Sequence, residues 1–166
     1  DQLADLGRSF NLMTEDLERL LAVAKEKERL QSEIEIAREV QNQLFPRSVP
    51  ESKSLRLTAR CNAARMVSGD YYDYQPFDGR IALAFGDVAG KGISAALLMA
   101  TVQSSFRTQI HACLQAADAR DNTSTSRLVS QLNQHLHAHS ALEKFATFYF
   151  GIYDDSNGIL TYTNAG

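Results

Sequence analysis

Two short acidic segments, residues 68–73 and 85–92, hold the side chains whose types and spacing could do chemistry. Each segment places an Asp directly after a Gly at the end of an apolar run, Asp70 in the first and Asp87 in the second. An Asp is seldom found in such a run unless its charge is paired or bound to a metal ion. Hard divalent cations such as Mg²⁺ and Mn²⁺ prefer oxygen ligands. The two segments together therefore predict a metal site, whereas either one alone would be equally compatible with a turn.

The second segment also has the glycines and the lysine of a phosphate-binding loop. It does not match the Walker pattern, because the spacing from Gly86 to Gly90 is one residue short and Lys91 is followed by Gly92 rather than Ser or Thr. A nucleotide-binding P-loop is therefore not predicted.

Both acidic segments, with three further stretches, resemble the SpoIIE/RsbU branch of the metal-dependent PPM serine/threonine phosphatases. The resemblance covers about residues 37 to 166 and implies an α+β fold, a β-sandwich flanked by helices. The stretches that carry it are residues 68–73, 86–100, 37–46, 145–151 and 160–166.

The resemblance implies a catalytic site in which Asp70 and Asp87 ligate two Mn²⁺ or Mg²⁺ ions, helped by the backbone carbonyl of Val88. It implies hydrolysis of phosphoserine on a regulatory protein of the anti-sigma antagonist type, without a covalent phosphoenzyme. Asp73 is given a lesser role, orienting waters or a neighbouring backbone group. The alternative is a degenerate domain in a dimeric signalling coiled coil, which only binds a partner.

Residues 1 to 45 contain no Pro and are expected to form one long helix. Its apolar residues alternate at spacings of three and four, and then resume from Leu30 in a shifted phase, which predicts a coiled-coil homodimer through residues 3–44. The alternative is one amphipathic helix packed on its own domain. We call the first apolar row the seam; its residues are Leu3, Leu6, Phe10, Met13, Leu17 and Leu20.

The first thirteen residues are similar to the second helix of a HAMP signalling domain, through Asp1, Leu3, Leu6, Phe10, Asn11 and Met13, although Gln2 and Ala4 depart from its pattern. HAMP domains normally follow a transmembrane helix, so the resemblance implies the cytoplasmic portion of an inner-membrane protein. We therefore expect a HAMP helix in residues 1–24, a signalling helix and Pro-bounded linker in 25–50, and the N-terminal part of a phosphatase domain in 51–166. The chain has no initiator Met and ends within an expected strand, so it is expected to be a fragment of a larger protein. The resemblance to the phosphatase family implies further metal-binding Asp residues after residue 166, and the 166 residues alone are therefore expected to bind metal weakly.

The patterning of the second part predicts strands followed by helices and then a β-hairpin, an α+β order. Strands are expected at 55–63, 66–74, 80–88, 145–153 and 159–164, with helices from Gly92 to about Leu114 and from Thr125 to Ser140.

The remaining candidates have weaker support. A net charge of −3 gives no electrostatic case for binding nucleic acid. The two cysteines, Cys61 and Cys113, lack metal-type spacing and are read as free thiols of a reducing cytosol. The histidines His135, His137 and His139 are expected on a solvated helix face rather than at a metal, Tyr71 and Tyr72 are expected to pack in a strand, and Arg65 is a candidate phosphate ligand.

Overall fold

The computed structural model describes residues 2–63, 66–115, 124–139 and 144–166, and it has the predicted α+β class. Three helices and four strands lie in these residues. In chain order they are α1 (Gln2–Leu44), β1 (Asp70–Phe77), β2 (Arg80–Val88), α2 (Ile93–Gln115), α3 (Thr125–His139), β3 (Ala146–Asp154) and β4 (Ile159–Ala165).

The chain divides into two compact units, Asp1–Ile36 and Ala37–Gly166. The first unit consists of the greater part of α1, so the predicted long helix is confirmed. All six residues of the seam are exposed, from 52% for Leu17 to 80% for Leu3. Pairs of opposite charge one turn apart, such as Arg29 and Glu26 at 2.8 Å, support the helix along its polar surface. No helix in the described residues is long and apolar enough to cross a membrane.

The second unit is built on one antiparallel sheet with the strand order β1-β2-β3-β4. Because successive side chains of a strand point to opposite sides, the register sorts the sheet into two faces. The pairs Tyr71↔Gly86 and Asp73↔Ala84 lie on the side that packs against α2 and α3, which we call the helix face. Asp70↔Asp87 and Tyr72↔Phe85 lie on the other side, the open face.

The helix face holds the hydrophobic core. Phe106 of α2 is fully buried and meets Phe148 and Phe150 of β3 edge to face, with ring centroids 6.1 and 5.5 Å apart. Burying each such side chain stabilises the fold by roughly 1.5–3 kcal/mol. Gly86 leaves room for this packing, since a Cβ at that position would lie 2.3 Å from the carbonyl oxygen of Thr147 on β3. The core thus fixes the position of β2, which ends in Asp87.

Several predicted elements are confirmed and others are corrected. Strand β2 and the β3–β4 hairpin form where they were expected, and α3 begins at Thr125 as predicted and runs through His139, the last described residue before the gap at 140–143. The first strand begins at Asp70 rather than at residue 66, and it runs on through Pro76. Proline is tolerated there because β1 is at the edge of the sheet and its outer side has no ladder partner among the described residues.

The strand predicted over residues 55–63 is wrong: where it is described, this segment pairs with no strand. Its alternating residues Leu55 and Leu57 are half-buried. The alternation therefore reflects burial of one side of the segment rather than pairing with a neighbouring strand. Side-chain bonds hold the residues just before this segment, because the carboxylate of Asp155 accepts hydrogen bonds from the hydroxyls of Ser52 and Ser54, both at 2.6 Å. The described residues form one sheet, which accounts for one layer of the expected sandwich.

Candidate functional site

The two predicted metal ligands lie side by side on the open face. Asp70 begins β1 and Asp87 lies near the end of β2, and the antiparallel register sets their Cα atoms directly opposite each other. Residues opposite each other in this way have Cβ atoms about 4.5–5.5 Å apart, and like charges there destabilise a sheet. Both side chains are exposed. The fold thus brings together two carboxylates whose mutual repulsion favours a cation between them.

Local hydrogen bonds orient Asp70. The hydroxyl of Ser68 donates to Asp70 Oδ2 at 2.9 Å and accepts from the backbone N–H of Asp70 at 3.1 Å. Ser68 itself is buried, with 8% of its surface exposed. Because one hydroxyl contacts both the backbone and the carboxylate of Asp70, it fixes that carboxylate relative to the chain that enters β1.

Gly69 brings the two acidic segments into close contact. The N–H of Val88 donates to the carbonyl of Gly69 at 3.3 Å. A Cβ on Gly69 would lie 2.8 Å from the carbonyl oxygen of Val88, so only glycine fits here. The carbonyl of Val88, predicted as an additional ligand, is therefore next to the residue that precedes Asp70.

Two glycines turn the chain from β2 into α2. Gly90 and Gly92 have φ values of 123° and 75°, which side-chain-bearing residues rarely adopt. The carbonyl of Gly92 accepts the first helical hydrogen bond, from Ala96 N–H at 3.1 Å. Lys91 is exposed between them. The turn thus explains Gly90 and Gly92, and it leaves Lys91 exposed.

The donor set fits a hard divalent cation. It offers two carboxylates and a nearby backbone carbonyl, and Mg²⁺ is commonly held by one or two carboxylates with water completing its coordination. In the described parts of the chain no Lys, Arg or His forms an ion pair with Asp70 or Asp87. Nor do these parts contain a cluster of three or more His, Cys, Asp or Glu side chains.

Asp73 lies on the helix face, away from the pair. Its side chain is 2% exposed and accepts hydrogen bonds from Arg107 Nε at 2.6 Å and Nη2 at 3.2 Å. The hydrogen bond to Asp73 raises the pKa of the Arg107 guanidinium. Asp73 also accepts a hydrogen bond from the N–H of Tyr74 at 2.9 Å, which is the predicted contact with a neighbouring backbone group. Asp73 is a structural ion-pair residue.

The open face continues from the carboxylates into a broad cleft of about 1070 Å³. Phe85 and Tyr149 line it and stack on each other at 4.6 Å. Tyr149 also stacks on Tyr162 at 5.3 Å, so an aromatic row runs across three strands. Residues 57–62 form one wall. The row could have been found in the sequence, because all three aromatics occupy open-face positions once the hairpin register is assigned.

The remaining candidates are structural or lie outside the site. Tyr71 is buried and stacks on Phe148 at 6.1 Å, and burial, followed by the charge of Asp73, raises its pKa well above the usual value. Tyr72 stacks on Phe45 at 5.0 Å, so the predicted packing role holds for both tyrosines. His135 and His137 are exposed on α3, and Cys61 is a free thiol. Arg65 and the side chains of Cys113 and His139 lie outside the described residues.

Comparison with known proteins identifies relatives of this arrangement. Residues 77–166 match the family model described as Stage II sporulation protein E (SpoIIE). Protein IcfG of Synechocystis is 31% identical over the whole of this chain and 29% of its own length. Phosphoserine phosphatase RsbU of Bacillus subtilis is 29% identical over the whole chain and 46% of its own length. The chain therefore spans less than half of these curated relatives.

A solved structure supports the same fold. The SiaA-PP2C domain of Pseudomonas aeruginosa superposes with a TM-score of 0.63 over 83% of this chain and 54% of that one, at 15% identity. At that identity the likeness concerns the fold alone. The family match covers more than half of the chain and includes Asp87 and Val88. The chain belongs to the SpoIIE family and is of the SpoIIE/RsbU type among the PPM phosphatases.

Proposed function

We propose that this chain carries part of the active site of a metal-dependent protein serine/threonine phosphatase in signal transduction. The observation that carries the proposal is the direct cross-strand pairing of Asp70 with Asp87 on an accessible sheet face. Two carboxylates this close, with no cationic side chain ion-paired to either within the described residues, suit a divalent ion better than any structural role.

The residues divide the work between them. Asp70 and Asp87 would hold Mn²⁺ or Mg²⁺, in a two-metal site by analogy with the family, and the Val88 carbonyl would add a neutral oxygen. When bound, such ions supply an activated water for attack on phosphorus and offset the charge on the phosphoryl oxygens. Ser68 keeps the Asp70 carboxylate in place. The exposed, open position of the pair suits a phosphoserine presented on a protein surface.

The proposed substrate is a phosphoserine of a regulatory protein of the anti-sigma antagonist type. The relative RsbU is a phosphoserine phosphatase, which supports phosphoserine as the substrate class. The test is release of phosphate from a phosphoserine peptide and from p-nitrophenyl phosphate by the full-length protein, with Mn²⁺, with Mg²⁺ and with a chelator. Hydrolysis that requires the metal is the expected result. A folded protein that hydrolyses neither ester at any metal concentration would favour a partner-binding domain without catalysis.

We further propose that residues 3–44 form a homodimeric coiled coil behind a HAMP domain, in the cytoplasmic portion of an inner-membrane protein. The exposed seam supports the dimer, because six large apolar side chains along one helix are stable in water only when covered. Leu30 and Ile34 begin the second apolar row, in its shifted phase. Charged residues at either position should weaken dimerisation in analytical ultracentrifugation and change turnover; a wild-type protein that stays monomeric at micromolar concentration would contradict the dimer.

A further inference from the structure

Gln41 is the buried residue of α1, with 6% of its surface exposed. It lies one turn before the helix ends at Leu44. Its side-chain amide contacts both backbone polar groups of Ser68: Nε2 donates to the Ser68 carbonyl at 2.7 Å, and Oε1 accepts from the Ser68 N–H at 2.9 Å. The amide thus binds Ser68 as a neighbouring strand would, just before edge strand β1 begins.

The bonds continue from Ser68 to the candidate metal ligand. The Ser68 hydroxyl donates to Asp70 Oδ2 and accepts from Asp70 N–H. Gln41 therefore fixes the backbone of a residue whose side chain fixes the Asp70 carboxylate. All three residues are within the unit Ala37–Gly166.

We propose that Gln41 is a positioning residue that couples the last turn of α1 to the metal affinity of Asp70. This inference rests on the proposed function, because it assigns a regulation to the same site. A carboxylate binds a metal well only when its geometry is held within about 0.5 Å. Removing a residue that orients a ligand through a hydrogen bond typically costs about 10–100-fold in metal affinity. A shift of the end of α1 would be transmitted to Asp70 by the same bonds.

A second contact at the end of α1 provides an internal control. The carbonyl of Leu44 accepts a hydrogen bond from Gln103 and one from Arg107 at 3.4 Å. Arg107 continues to Asp73, on the helix face. Loss of Gln103 therefore loosens the same helix end without touching Ser68 or Asp70, and it separates docking of the helix from positioning of the carboxylate.

The experiment measures Mn²⁺ affinity by isothermal titration calorimetry in the full-length protein. Gln41→Met keeps the side-chain length and removes both hydrogen bonds, and Gln41→Ala is the second variant. Gln103→Ala and the exposed Gln43→Ala are the controls. We expect affinity to fall about 10–100-fold in both Gln41 variants, and to change by less than about twofold in the controls.

Two further readouts test the path through Ser68. Adding Gln41→Met to Ser68→Ala should cause less loss of affinity than Gln41→Met causes alone, because the link to the carboxylate is already cut. Turnover of Gln41→Met should recover as Mn²⁺ is raised, whereas that of Asp87→Asn should not.

Three results would overturn the inference. The first is wild-type Mn²⁺ affinity in a folded Gln41→Met variant, and the second is an equal loss in Gln103→Ala, which would mean that only helix docking counts. The third is a double variant, Gln41→Met with Ser68→Ala, whose loss of Mn²⁺ affinity equals the sum of the two single losses in free energy. An absence of Mn²⁺ binding in the wild-type protein would overturn the proposed function instead, and this inference with it.

Discussion

Asp70 and Asp73 are three residues apart in the same strand, yet their surroundings differ in every respect that matters. Asp70 is exposed on the open face, opposite a second carboxylate. Asp73 is buried on the helix face, held by Arg107 and by the N–H of Tyr74. Arg107 neutralises the charge of Asp73, whereas among the described residues no cation is ion-paired with Asp70 or Asp87. Burial and pairing, rather than residue type, separate a structural carboxylate from one available for chemistry.

The largest expected effect is on turnover. Asp87→Asn removes one of two charged metal ligands and should lower metal-dependent phosphatase activity by more than about 100-fold. Mutation of a residue that only orients a metal ligand already lowers activity or metal affinity by up to about 100-fold. Kinetics with a phosphoserine peptide, with circular dichroism to confirm the fold, measure this. Asp70→Asn should behave alike. Near-normal activity in either variant would contradict the assignment of Asp70 and Asp87, rather than Asp73, to the chemistry.

The second effect is on stability and concerns the other face. Asp73→Asn leaves the Arg107 cation without its partner and should lower the free energy of unfolding by about 2–3 kcal/mol, less than for a fully buried pair because the Arg107 side chain is 36% exposed. Urea denaturation measures it. Mn²⁺ affinity should be retained below the melting temperature. A variant that is stable but has lost Mn²⁺ would show that Asp73 belongs to the site after all.

A third carboxylate, that of the half-buried Asp155, is held by hydrogen bonds from the protein. Asp155 lies in the β3–β4 turn, where its carboxylate accepts hydrogen bonds from the hydroxyls of Ser52 and Ser54 and from the N–H of Lys53. The hydrogen bond from Lys53 N–H, followed by those from the serine hydroxyls, lowers the pKa of Asp155 below its usual value. Its stabilising contribution is therefore present above the unfolded pKa of about 3.9 and is lost as the pH falls through the folded value.

Asp155→Asn should accordingly lower the melting temperature at pH 7 and flatten its decline below about pH 4. Turnover at 25 °C should stay close to wild type. Melting curves between pH 2 and pH 7 test this, with Asp16→Asn, a carboxylate on the exposed surface of α1, as the control. If the melting temperature of Asp155→Asn declined below about pH 4 just as that of the wild type does, the hydrogen bonds of Asp155 would add nothing to stability.

The smallest expected effect has the opposite sign. Without metal, Asp70 and Asp87 repel each other, so Asp87→Asn should raise the stability of the metal-free protein by roughly 0.2–1 kcal/mol. Differential scanning calorimetry in a chelator measures it. Added Mn²⁺ should raise the melting temperature of the wild type and leave that of the variant unchanged. A destabilised metal-free variant would indicate a structural role for Asp87.

The sequence predicted what local pattern can encode. The apolar run of residues 80–88 and the turn residues 154–158 were sufficient for β2 and the hairpin, and Gly–Asp pairs at strand ends were sufficient to bring Asp70 and Asp87 together. The partners of Asp73 and Gln41 were not predictable in this way. Hydrogen bonds between residues 34 and 27 positions apart leave no periodic signal. The strand wrongly predicted at 55–63 also depends on contacts distant in sequence. Alternation of apolar residues shows which side of a segment is buried, but not whether another strand pairs with it.

The central claim is that the open-face pair holds a divalent cation while the helix-face carboxylate does not. The most direct test is calorimetric titration of the full-length protein with Mn²⁺, comparing wild type, Asp70→Asn, Asp87→Asn and Asp73→Asn under conditions where all four are folded. The account predicts saturable binding in wild type and Asp73→Asn, and loss of binding in the other two. Equal Mn²⁺ affinity in all four proteins would contradict it.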